Sequence, residues 1–517
     1  MRWSWNGDSH YNRKNLMHLD NLKINIDDQN IANLIINSKN TLINKQFIKD
    51  FKKAIDYIIN DKNIIGIIIT SDDYNYNYDL NFLYSLNTSS LIFENITKLS
   101  GALRKLENIG KPIVSIISGS VQLGGLEIIL HSHYKIADVN KSTKFIFKNL
   151  KYSTIPAIGA SQRLPRQIGI ENSLRLFLSN ETLNSEQALE LKLVNVLAKK
   201  NTLLDKAKKY ILQNLTSNQP WDNKKYINKQ PNPFSQENLG YFISKIAMLH
   251  AKNADHYPSV KILISAIYEG LNTDINSGLK IEARHFTWLL QNSETKSMIN
   301  TLILNKPKEE LNNSEISIFK KSFIENYAAE GARLLINGAS AVMIENAGKR
   351  LGFKLGPLAT ADNLEIQCII AQLDSTDASV ASLIRSMQKI NRNGLSSNKG
   401  FYDYKEGKIK NIWNELNDMI PPAKIQPSIK EIEDRLLYST INNIFYNYIK
   451  YSELKNHEMY DYMAINNIGF PEWTGGPFRW VKQNGVESFK KNNDKYAKTL
   501  GSRFVINNKI INIIESI

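Results

Sequence analysis

The stretch Lys111-Pro-Ile-Val-Ser-Ile-Ile-Ser-Gly-Ser-Val-Gln-Leu-Gly-Gly-Leu-Glu127 decides how this chain is read. The β-branched run Ile113 to Ile117 is the pattern of a buried strand. Gly119 ends it, and Gly124-Gly125 opens an apolar run from Leu126 to Leu130 that reads as a helix start. Paired glycines let a backbone come close to a ligand, and the first free N–H groups of a helix face whatever oxygen lies before them. Such a turn has the makings of an oxyanion hole. Glu127, in the first turn of the helix, is placed to handle a proton beside it. A plain strand–turn–helix with packing glycines and a solvated glutamate fits the same letters.

Outward from that stretch the chain runs to 517 residues, enough for about two to four domains. No window approaches the apolar run of a membrane span. Met1-Arg-Trp-Ser-Trp-Asn-Gly-Asp8 has no apolar segment of a secretory signal, so a cytoplasmic protein is expected. Cys368 is the single cysteine, which excludes an intrachain disulfide and a cysteine-cluster metal site. The eight histidines show no metal-ligand spacing; His131 and His133 share a face only on a strand. The formal charge is +15, yet lysines are spread among Asn and Ile with no basic block, so no nucleic-acid partner is expected. A basic surface also suits a substrate bearing phosphates.

The order of elements argues for an α/β domain first. Leu22 to Ile26 and Ile31 to Ile36 predict a hairpin, Phe47 to Ile59 a helix and Ile64 to Thr70 a strand. Ser71 to Leu80 is a polar, aromatic loop. Ile96 to Ile109 predicts an amphipathic helix that feeds the central strand through Gly110-Lys-Pro112. Tyr134 to Asp138 and Lys144 to Phe147 predict short strands. From about residue 170 helices take over, among them 185–191, 203–215, 236–251, 259–271 and 277–290, and 305–313 is the best linker. Beyond it lies an internal echo. Two helices precede Gly352-Phe-Lys-Leu-Gly-Pro357, and two more precede Gly469-Phe-Pro-Glu-Trp-Thr-Gly-Gly-Pro477. They read as two related all-α domains, with Pro421-Pro422 between them.

These motifs resemble a known family. Gly110-Lys-Pro112, Gly119 with Leu123-Gly-Gly-Leu-Glu127, and Ile155-Pro156 leading to Ser161-Gln-Arg-Leu-Pro-Arg166 resemble the crotonase (enoyl-CoA hydratase/isomerase) superfamily. Tyr257-Pro258 and Ile281-Glu-Ala-Arg284 resemble the helical linker of fatty acid oxidation complex α-subunits. Phe323-Ile-Glu-Asn326, Gly352-Phe with Gly356-Pro357, Lys399-Gly-Phe-Tyr-Asp-Tyr404 and 469–477 resemble the paired C-terminal domains of 3-hydroxyacyl-CoA dehydrogenase. The fold implied is a crotonase-type α/β (spiral ββα) N-terminal domain followed by all-α dehydrogenase-like domains. The segments expected are 1–205 for the crotonase-like core, 206–312 for a helical tail and linker, and 313–410 and 411–517 for the two C-terminal domains.

Two departures bear on activity. The family's NAD-binding Rossmann domain needs a βαβ unit with a Gly-x-Gly-x-x-Gly turn. No such turn occurs in the sequence, and only a short segment separates the linker helices from Phe323. Asn326 matches the asparagine that assists the dehydrogenase histidine, a residue of the missing domain, so NAD and hydride transfer are not expected from this chain. In the hydratase site the resemblance makes Glu127 the first of two glutamates that hold one water. The second position falls on Asn149, which can orient a water but not exchange its proton. The resemblance assigns the oxyanion hole to the N–H groups of Gly124 and Tyr78, the latter in Asn77-Tyr78-Asp79. The Tyr78 ring either narrows the acyl pocket or faces outward from a tolerant loop.

Two functions follow from the resemblance. One is a hydratase-type lyase of fatty acid β-oxidation acting on a 2-trans-enoyl-CoA, the CoA thioester being substrate, with a site reduced to one glutamate. The other is a non-catalytic α-subunit that binds acyl-CoA or holds a thiolase β-subunit, with a homo-oligomer also possible. A tunnel open to Glu127 favours the first; one plugged by Tyr78 or Phe147 favours the second. Arg104, Lys105 and Lys111 are candidates for a basic rim that receives CoA, and Arg163 and Arg166 read as structural.

Overall fold

A computed structural model describes residues 14–37, 41–147, 154–179, 181–223, 226, 232–253, 256–307, 313–451 and 456–516. The chain divides into two compact units, Met1–Ala247 with Pro258–Thr295, and Met248–Tyr257 with Lys296–Ile517.

The first unit is built on β1 (Lys14–His18), β2 (Leu22–Ile26), β3 (Ile31–Ile36), β5 (Gly66–Ser71), β7 (Ile113–Ile117), β9 (Tyr134–Asp138) and β12 (Val196–Ala198), one sheet in that order. β1, β2 and β3 are antiparallel, and the expected β2–β3 hairpin pairs Leu22 with Ile36. From β3 onward neighbours run parallel, with Ile68 beside both Asn33 and Val114. Parallel neighbours need crossovers, and helices supply them. α1 (Lys45–Asn60) lies between β3 and β5, and α2 (Leu80–Ser85) and α3 (Ser89–Glu107) between β5 and β7. The Ile-rich runs of β5 and β7 follow from this, since a central parallel strand is covered on both faces; all five residues of β7 are buried.

Local signals set the helix ends. Asn44 caps α1 by accepting from the Phe47 N–H at 2.9 Å, and Phe47, Phe51, Ala54, Ile55 and Ile58 form its buried face. Thr88 caps α3, which therefore begins ahead of the Ile96 expected from periodicity. α4 (Leu123–Leu130) starts where the glycine pair predicts a helix. Short strands β4 (Leu42–Ile43) and β6 (Asn77–Tyr78) pair in parallel, and β8 (Ser120–Val121), β10 (Lys144–Ile146) and β11 (Thr182–Asn184) form a three-stranded sheet. α5 (Ala160–Ile168), α6 (Ile170–Ser179), α7 (Ser185–Glu190) and α8 (Leu203–Gln213) follow, then α9 (Gln236–Asn253), α10 (Pro258–Leu271), α11 (Ile275–Gln291) and α12 (Ser293–Ile299). α10 and α11, within the expected helical tail and linker, pack on α5 and α3 in the first unit.

The second unit carries the internal echo. α13 (Asn313–Ile336) and α14 (Ala341–Arg350) precede α15 (Pro357–Leu364). Later α18 (Ile429–Tyr451) and α19 (His457–Met463) precede α20 (Pro477–Asn484); α16 (Ala378–Lys389) and α17 (Leu416–Met419) lie between. In the first half Glu345 of α14 accepts from the N–H groups of Leu358 and Ala359 at 2.7 and 3.4 Å. In the second, Asp461 of α19 accepts from Phe478 and Arg479 at 2.8 and 3.1 Å. Each buried carboxylate caps the helix that opens on a Gly-Pro pair, where the dipole and the orphan N–H groups favour an anion. Those Gly-Pro pairs thus mark equivalent corners.

One element interrupts the helices, the hairpin β13 (Tyr402–Lys405) and β14 (Lys408–Ile412). Buried Asp362 holds it, accepting from the N–H groups of Phe401 and Tyr402 at 2.8 and 2.9 Å and from the Tyr404 hydroxyl at 3.0 Å. Among the described residues no helix is long and apolar enough to cross a membrane.

Candidate active site

Ligand sites in open parallel sheets gather outside the carboxyl ends of the strands. Here β5 runs into 72–76, and β7 runs through Gly119 and β8 into α4. The first of these, read from sequence as a polar loop, turns its tyrosines inward: Tyr74 and Tyr76 are buried. The Tyr74 hydroxyl lies 3.1 and 3.0 Å from the carbonyls of Ile69 and Ile116, and the Tyr76 hydroxyl is 2.8 Å from the Ser71 hydroxyl. A buried phenol must find a partner, and backbone carbonyls at the strand ends serve.

That loop meets the glycine turn. The N–H groups of Gln122 and Gly124 donate to the carbonyls of Tyr74 and Tyr76 at 3.1 and 3.0 Å. A Cβ on Gly125 would sit 1.9 Å from the Tyr74 carbonyl oxygen, and one on Gly124 would sit 2.7 Å from that of Tyr76. Close approach is why both are glycine, but what approaches is the protein's own loop. The Gly124 N–H, expected as an oxyanion donor, here donates to the Tyr76 carbonyl.

Glu127 is fully buried. Its Oε1 accepts from the N–H groups of Ala157, Ile158 and Ala160 at 3.0, 2.7 and 3.3 Å. Its Oε2 accepts from the Tyr78 hydroxyl, which in turn accepts from the Ala157 N–H at 3.1 Å. The Tyr78 ring packs on Phe286 of α11 at 5.1 Å between centroids. Tyr78 therefore faces inward rather than out of a loop. Burial, with Glu282 beside it, pushes the Glu127 carboxyl up to about 8, against the pull of its donors. Burial also raises the Tyr78 phenol, with the Glu127 charge adding to it.

Glu282 is the residue that sequence reasoning missed. It reaches from α11 to the same backbone turn, accepting from the N–H groups of Gly159 and Ser161 at 2.5 and 2.8 Å and from the Ser161 hydroxyl. It too is fully buried, and burial lifts it to about 7. The signal was its place on the apolar stripe of α11, between Leu279 and Phe286 in a row with Ala283 and Leu290. A carboxylate on the buried face of a helix needs a partner.

The other candidates fall elsewhere. Asn149 lies outside the described residues. Asn326 is buried on α13 in the second unit, its side-chain amide donating to the Ser439 carbonyl at 3.1 Å. Arg163 is structural as read: its guanidinium grips Glu107 at 3.1 and 2.6 Å with both partners buried. Arg104, Lys105 and Lys111 line a cleft of about 510 Å³ with Ile59 and Asn108. It opens where the chain enters β7, whereas Gly124 follows the other end of that strand. These residues do not rim the glycine turn, and Arg104 is taken up by Asp222, Glu107 and Asn276.

Comparison with known proteins places these units. Residues 27–255 match the enoyl-CoA hydratase/isomerase family, and residues 321–404 match the C-terminal domain of 3-hydroxyacyl-CoA dehydrogenase. The fatty acid oxidation complex subunit alpha of Vibrio vulnificus is 25% identical over 336 residues, covering 63% of this chain and 46% of that protein. Its counterpart in Vibrio parahaemolyticus is 27% identical, covering 53% and 40%. The chain thus spans less than half the length of these relatives. An enoyl-CoA hydratase/isomerase structure from Pseudoalteromonas atlantica superposes with a TM-score of 0.38 at 18% identity, covering 56% of this chain and all of that one. The enoyl-CoA hydratase of Bacillus anthracis gives 0.35 at 15%, covering 56% and 97%. Residues 27–255 are thus similar to the enoyl-CoA hydratase/isomerase family and residues 321–404 to the C-terminal domain of 3-hydroxyacyl-CoA dehydrogenase, and the chain resembles fatty acid oxidation complex α-subunits over part of their length.

Proposed function

We propose that this chain is an acyl-CoA-handling protein of fatty acid β-oxidation whose hydratase-type centre is held closed, so that it binds rather than hydrates. One observation carries the reading: Glu127 spends Oε1 on three backbone N–H groups and Oε2 on the Tyr78 hydroxyl. Adding water to an enoyl thioester requires a carboxylate oxygen free to take the water's proton. The bond to Tyr78 fills that place, and asparagine at 149 offers no second proton carrier. The engaged Gly124 N–H further weakens any claim to enolate stabilisation.

Hydride transfer is not expected either. The sequence has no Gly-x-Gly-x-x-Gly turn, and the described residues between the two family matches include α10, α11 and α12. The role left to such a chain is acyl-CoA binding or assembly, with a thiolase β-subunit as the natural partner and a cytoplasmic setting. The competing reading, a one-glutamate hydratase, draws on the Glu127 carboxyl being raised by burial and by Glu282, the direction a general acid needs.

A crotonyl-CoA hydration assay separates the two. The unaltered protein is expected to leave the conjugated thioester absorbance unchanged over buffer. Turnover abolished by Glu127→Gln would establish one-glutamate hydration and end the closed-centre reading.

A further inference from the structure

The turn 157–161 is gripped from two sides. Glu127 on α4 takes the N–H groups of residues 157, 158 and 160, and Glu282 on α11 takes those of 159 and 161. Between them the two carboxylates thus take all five N–H groups of one five-residue segment, both without solvent contact. Glu282 lies beyond residue 255, where the hydratase-family match stops. We propose that Glu282 is a positioning residue of the hydratase-type centre, which shares a single proton with Glu127 across this turn and thereby sets the charge Glu127 carries.

The physical ground is the cost of two like charges in a dry interior. Donors on the turn offset part of that cost, but among the described residues neither carboxylate has a cation as its direct partner, so one proton for the pair relieves most of it. The groups around the pair fit this count. Tyr78 of β6 donates its hydroxyl to Glu127 and stays a neutral phenol. Arg163 of α5 favours the ionised form of Glu282, although its guanidinium is bonded to Glu107. His131, one turn along α4, engages the Glu127 carbonyl through Nδ1 at 2.7 Å, and burial keeps its ring neutral. Both carboxyls are lifted above the ordinary range, to about 8 for Glu127 and about 7 for Glu282. Such a pair titrates in coupled steps that belong to both residues.

The inference rests on the closed-centre reading only for its meaning; its test needs no substrate. The intact protein, with glutamates carrying ¹³C at the side-chain carboxyl, is titrated by NMR, and Glu127→Gln and Glu282→Gln identify the two resonances. Two separated steps near neutral pH are expected in the unaltered protein. In Glu282→Gln the Glu127 step should move down by about one pH unit or more, since the like charge is gone while the amide keeps the shape. A Glu127 step that stays in place in that variant overturns the proposal. Should Glu282→Gln fail to fold, the unaltered protein still decides: no carboxyl titrating above the ordinary acid range overturns the shared proton. A hydration assay failing either way leaves this result standing, so the two claims can fall separately.

Discussion

Crotonyl-CoA hydration rises by about a hundredfold or more over the native baseline when Tyr78→Ala is combined with Asn149→Glu. Removing the phenol releases Oε2 of Glu127 and empties the space against Phe286. On the proposed reading a carboxyl at 149 supplies the second proton carrier that the family resemblance assigns to that position, and one positioned acid or base is worth typically about 10²–10⁴ in rate. Each change alone should do much less, because a free Glu127 without a second proton carrier and a second carrier without a free Glu127 both leave the water unserved. The double variant should still fall short of a full hydratase by about 10²–10³, the worth of one oxyanion donor, since the Gly124 N–H remains on Tyr76. Deleting a buried ring costs about 3–5 kcal/mol, so rates are read well below the melting temperature. Tyr78→Phe with Asn149→Glu is the control that removes only the hydroxyl. The thioester absorbance follows all of these.

Glu330→Leu is expected to destabilise the second unit by about 3–5 kcal/mol, read as a lower midpoint in urea unfolding. Glu330 is fully buried on α13 and accepts from Arg435 at 2.9 and 2.7 Å and from Arg503 at 2.7 Å, with Arg333 at 3.4 Å. Arg333 has a second carboxylate in Asp377 at 2.7 Å, but leucine at 330 leaves Arg435 and Arg503 without this anion. Breaking a buried ion cluster from one side is the costly case, because the remaining charges stay desolvated. The arginines hold the Glu330 carboxyl below its ordinary value despite burial. A depressed carboxylate stabilises above its unfolded pKa and loses that contribution as pH falls through its folded one. The gap between the native protein and Glu330→Leu should therefore narrow on acidification.

Much of the architecture was legible because it follows from periodicity and punctuation. The β-branched runs of β5 and β7 mark strands covered on both faces, and the glycine pair marks the start of α4. The two Gly-Pro corners announce the echo that Glu345 and Asp461 cap in the same way. The candidate site was legible only in part. Glycine at 124 and 125 says that a backbone comes close; it cannot say whether the visitor is a thioester or the loop at Tyr74 and Tyr76. The Ser71–Leu80 stretch looks polar residue by residue, yet its tyrosines are buried because each hydroxyl finds a partner: Tyr74 in carbonyls of β5 and β7, Tyr76 in the Ser71 hydroxyl and Tyr78 in Glu127. Glu282 is more than 150 residues from Glu127 in the chain, and only the packing of α11 on α3 and α5 brings it to the same turn. The β13–β14 hairpin was hidden for a similar reason, since long-range bonds to Asp362 hold it.

The closure of Glu127 by Tyr78 is tested most directly by chemical access to that carboxyl. Treating the native protein with a water-soluble carbodiimide and an amine, then mapping modified glutamates by mass spectrometry, reads it at single-residue level. The account predicts that Glu127 stays unmodified while exposed glutamates react, and that Tyr78→Ala makes it reactive under conditions where the protein stays folded. Modification of Glu127 in the native protein, at a rate comparable with exposed glutamates, would contradict the account.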